Sequence, residues 1–302
     1  MSRIDDKLKG VIAAVPTPFD DQKNLLPSLL VDHCRWAMQN GCDGLNVLGT
    51  TGEANSLDVA SRKQVMALVA ETVDPSRLMV GTATPDLTTT TELTLHADQL
   101  GYSVALVLPP YYYKPVTDDG LFKWFEQLDR VLGSAKIAIY LYNFPALTGI
   151  RFSIELLARL ARAMPQRFCG IKDSSGNLDY CREIVATIPN FKVFPSNEVS
   201  LGEAHQSGFA GCISASVNVT SPLAAKLWAN DNNEQTSTDL TDQLAQLRGN
   251  ISAVPLIPAI KYLVGLRDHD SRWGHVLTPM QTLSTDQQQQ LKSTSKTLRY
   301  TQ

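Results

Sequence analysis

Eight short apolar runs, separated by stretches with helical periodicity, constrain this chain more than any other feature. They cover residues 11–15, 44–48, 78–82, 104–108, 137–141, 168–171, 191–194 and 212–215. Each is continuous rather than alternating, which suits a parallel strand covered on both faces. Between them, segments such as 29–37 and 156–164 repeat apolar residues at helical spacing. Eight β/α units in succession predict an α/β protein, a (β/α)8 or TIM barrel. A doubly wound open sheet is the rival, but no Gly-x-Gly-x-x-Gly turn follows the first run. After the eighth run the strands stop. Helical patterns then occupy 222–228, 240–247, 258–266 and 286–299, and the polar stretch 230–235 reads as a loop. The expectation is a barrel over residues 1–221 that carries the site, with a C-terminal helical region, 222–302, packed on it.

Composition narrows the function. A hydrophobic content of 43% and a net charge of −3 argue against a nucleic-acid or anionic-membrane binder. No apolar stretch approaches a membrane span, and residues 1–7 lack the apolar core of a signal peptide, so a cytoplasmic location is expected. Cys34, Cys42, Cys169, Cys181 and Cys212 are odd in number and form no close pair. Neither a disulfide framework nor a zinc site is expected from them. His33, His96, His205, His269 and His275 show no ligand spacing, so no metal is expected either. Asn218-Val219-Thr220 matches a glycosylation sequon, read here as accidental.

In a barrel of this kind, chemistry sits where strands end and loops begin. Lys172 ends the sixth run, where apolar walls disfavour an ammonium and favour a nucleophilic amine. Run five leads into Tyr142-Asn143-Phe144-Pro145, and run two into Gly49-Thr50-Thr51-Gly52-Glu53. Run four leads into Pro109-Pro110-Tyr111-Tyr112-Tyr113. Taken singly, these read as a solvated lysine, a tight turn and surface phenols. Together they place a lysine, phenols and paired hydroxyls on one rim.

These four motifs, with Gly170-Ile171-Lys172-Asp173 as the last, occur in the order seen in the dihydrodipicolinate synthase / N-acetylneuraminate lyase family, which this chain closely resembles. The resemblance implies a (β/α)8 barrel with C-terminal helices, usually in homotetramers arranged as dimers of dimers. It implies that Lys172 forms an imine with pyruvate or a pyruvyl substrate, with no other cofactor. Tyr142 then resembles the acid/base phenol. Thr50 and Thr51, with Gly49, resemble the turn that holds the pyruvyl carboxylate, Thr50 also relaying protons. Tyr112 resembles the tyrosine that enters a neighbouring subunit's site. Ile213 resembles the residue whose backbone carbonyl approaches the lysine.

Two departures bear on substrate. Leu147 stands where members that condense pyruvate with aspartate semialdehyde carry an arginine for the second carboxylate, and leucine cannot replace it. Tyr142 to Gly149 is instead most similar to 2-keto-3-deoxygluconate aldolases. Ser196-Asn197-Glu198-Val199 keeps only one of the two acidic residues with which sialate lyases bind sugar hydroxyls. Glu198, Ser174, Ser175, Ser196 and Ser214 are then expected to contact a shorter sugar acid. The leading expectation is a Schiff-base aldolase that splits a 2-keto-3-deoxy sugar acid to pyruvate and an aldehyde. A dehydratase of the same family, the dihydrodipicolinate synthase reaction and a non-catalytic sugar-acid sensor are the alternatives. Cys169 and Cys212 lie near the lysine, so thiol reagents are expected to inhibit.

Overall fold

A computed structural model describes residues 8–230 and 234–298. All eight apolar runs are strands: β1 (Gly10–Ala14), β2 (Gly44–Val47), β3 (Leu78–Gly81), β4 (Val104–Val107), β5 (Ala138–Asn143), β6 (Phe168–Asp173), β7 (Lys192–Pro195) and β8 (Gly211–Ser214). They pair in parallel in the order β7-β6-β5-β4-β3-β2-β1-β8. A bond from Ala210 N–H to the Val193 carbonyl (2.9 Å) joins the segment entering β8 to β7, so the sheet curls into a ring. The fold is the TIM barrel that the runs predicted.

The helices are α1 (Pro27–Gln39), α2 (Val59–Thr72), α3 (Leu87–Gln99), α4 (Asp118–Leu132), α5 (Pro145–Thr148), α6 (Ile154–Ala163), α7 (Leu178–Thr187), α8 (Ala204–Ser207), α9 (Val217–Trp228), α10 (Glu234–Ser252), α11 (Leu256–Asp268) and α12 (Thr285–Thr297). Local chemistry starts many of them. Asp58, Asp86, Thr117, Ser153 and Asn177 each accept a bond from a backbone N–H three residues on. Among the described residues no single helix is long and apolar enough to cross a membrane.

The region expected to begin at residue 222 has no break there. Helix α9 starts at Val217 and runs through Pro222. Proline lacks the N–H that would bond the Asn218 carbonyl. Arg267 of α11 supplies the missing donor, its Nη1 lying 3.2 Å from that carbonyl. The loop expected over 230–235 is shorter than predicted, since α10 begins at Glu234; residues 231–233 lie outside the described ones, as does Arg299 of the last helix.

The core has three parts. Val11, Ala13, Ala105, Val107, Ile139 and Leu141 face outward and pack with the surrounding helices. Ile12, Ala14, Val104, Leu106, Ala138, Tyr140 and Tyr142 alternate with them and fill the ring. Ile251, Ile260, Val264, Trp273 and Leu291 form a third cluster among the C-terminal helices.

Strand β6 breaks the alternation. Phe168 and Ile171 both lie on the outer face, although a period of two puts residues three apart on opposite sides. The register shows how: Phe168 pairs with Ile139 and Gly170 with Tyr140, so Cys169 is an extra residue. This bulge turns Lys172 inward, beside its partner Tyr142. Gly170 permits it, because a Cβ there would lie 2.8 Å from the Tyr140 ring and 2.9 Å from the Lys192 carbonyl.

Candidate active site

Lys172 is not at the tip of its strand. Strands β5 and β6 run two residues beyond their apolar runs, and Tyr142–Lys172 and Asn143–Asp173 are register pairs. The outward member of each strand locks the inward one. Asn143 Nδ2 donates to Asp173 Oδ1 at 2.6 Å, and Asn143 Oδ1 accepts from Phe152 N–H at 3.2 Å. Asp173 Oδ2 accepts from the Ser175 hydroxyl at 2.7 Å. With both polar neighbours satisfied, the strands extend as far as the reactive groups. Lys172 is 4% exposed, and its Nζ stands 4.5 Å from the centre of the Tyr142 ring. The Tyr142 hydroxyl lies 3.4 Å from that of Thr50 and 3.5 Å from that of Ser174.

The Thr50–Thr51 turn is held from behind. Leu48 and Glu53 flank it in the left-handed region, at φ of 54° and 58°, a conformation that non-glycine residues adopt only when their surroundings enforce it. For Glu53 those surroundings are a fully buried ion pair to Lys261 Nζ of α11 at 2.5 Å and a bond from Leu277 N–H at 2.6 Å. Burial pushes the Lys261 ammonium down to about 8, against the pull of Glu53 in the other direction. For Leu48 the condition is Gly81, where a Cβ would fall 2.1 Å from the Leu48 carbonyl oxygen. The Thr17 hydroxyl adds a bond to the Gly52 carbonyl at 2.8 Å. Glu53 closed the motif in the sequence, but its partner lies 208 residues away and had no local signal.

A cavity of about 730 Å³ opens above the strand ends. It brings together Thr50, Thr51, Tyr142, Lys172, Ser174, Ser196 and Ile213, all expected from the sequence. Arg248 of α10 also lines it, with Pro255 to Pro258 and the segment from Pro279 to Thr282 closing the far wall. A larger depression of about 940 Å³ lies beside it, between the loop after β7 and α10, and contains neither Lys172 nor Tyr142.

Six expected residues lie outside the main cavity, two of them, Ser175 and Ser214, donating to Asp173 and Glu198 instead. Gly49 borders a small void of about 20 Å³ behind Thr50. Leu147 is 64% exposed and Tyr112 73% exposed, and neither lines the cavity. Glu198 is a correction. It is fully buried, Oε2 accepting from Ser214 (2.6 Å) and Ser216 (2.8 Å) and Oε1 from Thr220 (3.0 Å). A carboxylate enclosed by three hydroxyls has no edge left for a sugar.

A model of the dihydrodipicolinate synthetase family matches residues 7–298. The chain belongs to this family. Dihydrodipicolinate synthetase family members are lyases that work through a covalent imine between a lysine and pyruvate, with no metal or other cofactor, and this enzyme is one of them. The 4-hydroxy-tetrahydrodipicolinate synthase of Rhizobium meliloti is 32% identical, over 84% of this chain and 86% of its own. That of Bartonella bacilliformis is 29% identical, over 85% and 87%. Among solved structures, YagE, an Escherichia coli K12 prophage protein of the same family in complex with pyruvate, matches with a TM-score of 0.88 and 28% identity, covering 97% of this chain and 99% of that one.

Proposed function

We propose that this enzyme is a class I aldolase that reversibly splits a 2-keto-3-deoxy sugar acid, of the 2-keto-3-deoxygluconate kind, into pyruvate and an aldehyde. The observation that carries it is Lys172 against the Tyr142 ring, in a cavity with room for a chain longer than pyruvate. The Lys172 amine attacks the C2 ketone, and loss of its oxygen as water leaves an iminium. Tyr142 takes the proton of the C4 hydroxyl as the C3–C4 bond breaks, and the bonding pair passes into the iminium to give an enamine. The aldehyde departs, C3 regains a proton, and water frees pyruvate. Thr50 and Ser174, each within 3.5 Å of the phenol oxygen, relay its proton. The Thr50–Thr51 turn holds the keto-acid carboxylate, Ile213 presents its carbonyl near the lysine, and Ser174 and Ser196 meet the sugar hydroxyls.

The same reading has the enzyme working in the cytoplasm as a homotetramer, a dimer of dimers. Tyr112, Tyr113 and Leu147 support it: at 73%, 80% and 64% exposure they are large side chains of the kind that an interface covers. Tyr112 then completes the proton relay of a neighbouring site.

Dihydrodipicolinate synthesis is the second reading, favoured by the names of the relatives at 29% and 32% identity. It needs a cation for the carboxylate of aspartate semialdehyde, and position 147 supplies none. The deciding experiment is pyruvate release from 2-keto-3-deoxygluconate, coupled to lactate dehydrogenase, with Lys172→Arg as control. Release that persists in the control removes Lys172 from the chemistry. Consumption of the acid without pyruvate identifies a dehydratase.

A further inference from the structure

Arg248 is a guanidinium in the active-site cavity that none of the sequence motifs contains. It projects from α10 of the C-terminal region, and its Nη1 donates to Ser216 Oγ at 2.7 Å and to Ser214 Oγ at 3.3 Å. Both hydroxyls in turn donate to the buried Glu198 Oε2. The direction of every proton in this chain is therefore set: guanidinium to serines, serines to carboxylate. Glu198 and the two serines hold the arginine by one nitrogen. Its Nε and Nη2, which carry three further N–H groups, have no partner among the described residues, and no carboxylate lies within ion-pair distance.

The charge around the cavity is one-sided. Among the described residues, Lys172 and Arg248 are its only basic lining residues, and no aspartate or glutamate lines it. The pyruvyl end of the substrate accounts for Lys172 and the Thr50–Thr51 turn, which leaves Arg248 over. Ser214, to which it is anchored, ends β8, three strands round the ring from the Tyr142 strand β5. Ser196, just after β7, lines the same cavity on this side, between the Lys172 strand and the anchored arginine. A guanidinium held at one nitrogen and offering its opposite edge is shaped for the two oxygens of a carboxylate or phosphate.

We infer that Arg248 is a specificity-determining residue that binds an anionic group, a carboxylate or phosphate, at the end of the substrate remote from the keto acid. This rests on the aldolase reading of the same cavity and refines it. It also supplies, from the C-terminal helices, the cation that Leu147 withholds from the loop after β5.

The test compares kcat/KM for pyruvate release from 2-keto-3-deoxygluconate, from its 6-phosphate and from the six-carbon diacid with a carboxylate at C6. Condensation of pyruvate with aspartate semialdehyde forms a fourth arm, since its carboxylate meets the same cation in the reverse direction. The wild-type enzyme is expected to prefer an anionic tail on the order of a hundredfold, and the preferred arm tells carboxylate from phosphate. In Arg248→Gln the ratio of anionic to neutral kcat/KM should collapse, mostly through KM. A purely structural arginine lowers every arm alike and leaves the ratio intact, which overturns the inference. So does a wild-type enzyme indifferent to the tail, a result that needs no variant. Borohydride trapping of pyruvate on Lys172 separates the two readings: trapped imine without tail preference, or without turnover in any arm, defeats the role of Arg248 and spares the Schiff base. Absence of trapping defeats both.

Discussion

His33 makes the stability of this fold depend on acid in a way that can be worked out from its neighbours. It lies on α1 with no exposed surface, between the stacked Trp36 and the edge-on Trp273. Asn218 uses its Nδ2 on the carbonyls of Ala14 and Ala215 (2.8 and 2.7 Å), so its Oδ1 faces His33 as an acceptor. Nε2 of the imidazole therefore carries the proton, at 2.8 Å. Nδ1 is the acceptor for Arg267 Nη2 at 2.9 Å, and a second proton there would set two cations face to face. Burial first, and Arg267 second, push the imidazole down to about 3 from 6.5, while Asn218 and Asp268 pull weakly the other way.

A folded value below the unfolded one means that the unfolded chain binds the extra proton. The contribution is whole above pH 6.5 and is lost as pH falls toward 3. Between pH 7 and pH 5 the folded imidazole stays neutral while the unfolded one titrates over 1.5 units, at about 1.36 kcal/mol each. The loss is about 2 kcal/mol, and it holds for any folded value below about 4. Urea unfolding of the wild-type protein and of His33→Gln, at pH 7 and pH 5 and one protein concentration, reads it directly. The wild-type protein should lose about 2 kcal/mol more than the variant over that interval. Equal losses would mean that His33 titrates in the fold as it does in water, and the reasoning would fail.

Tyr142→Phe should still trap pyruvate on Lys172 with borohydride, while turnover falls about 10² to 10⁴-fold; loss of trapping would give the phenol a part in imine formation instead. Lys261→Met alone leaves the Glu53 carboxylate buried without its cation and should cost about 3–5 kcal/mol in chemical denaturation, much of it restored in Glu53→Gln/Lys261→Met. Iodoacetamide at neutral pH should leave activity intact, contrary to the expectation drawn from the sequence. Burial pushes the Cys169 thiol up to about 12 and raises Cys212 as well, so little thiolate exists there to react. Rapid inactivation with label on Cys169 would refute this.

The barrel was legible because parallel strands buried on both faces are predominantly apolar, and all eight runs carried that signature. Their ends were less so. Tyr142-Asn143 and Lys172-Asp173 look like loop residues until the Asn143–Asp173 bond satisfies them inside the sheet. Glu198 was misread because a carboxylate after β7 looks the same whether it faces substrate or the hydroxyls of Ser214, Ser216 and Thr220, which lie 16 to 22 residues onward. Asn218 reads as a sequon in the chain and is a fully buried strut in the fold. Arg248 was invisible, since one arginine on a polar helix says nothing of the cavity it enters. The bulge gave no signal of its own: Phe168 and Ile171, apolar and three apart, look like any such pair in a strand buried on both faces, and only the pairing register reveals the extra residue.

That bulge gives the reactive amine an address set by counting. In an unbroken strand, whether a residue faces the lumen or the helices is a matter of odd or even, and Phe168 and Lys172 share the same parity. The extra residue at Cys169 switches it, so the lysine looks into the ring while the phenylalanine looks out. No contact made by Lys172 itself determines this. Deleting a single residue from β6 would keep the composition of the strand nearly intact and still deliver the amine to the hydrophobic layer outside. Gly170 apart, the span between Phe168 and Lys172 therefore tolerates exchange of residues far better than any change in their number.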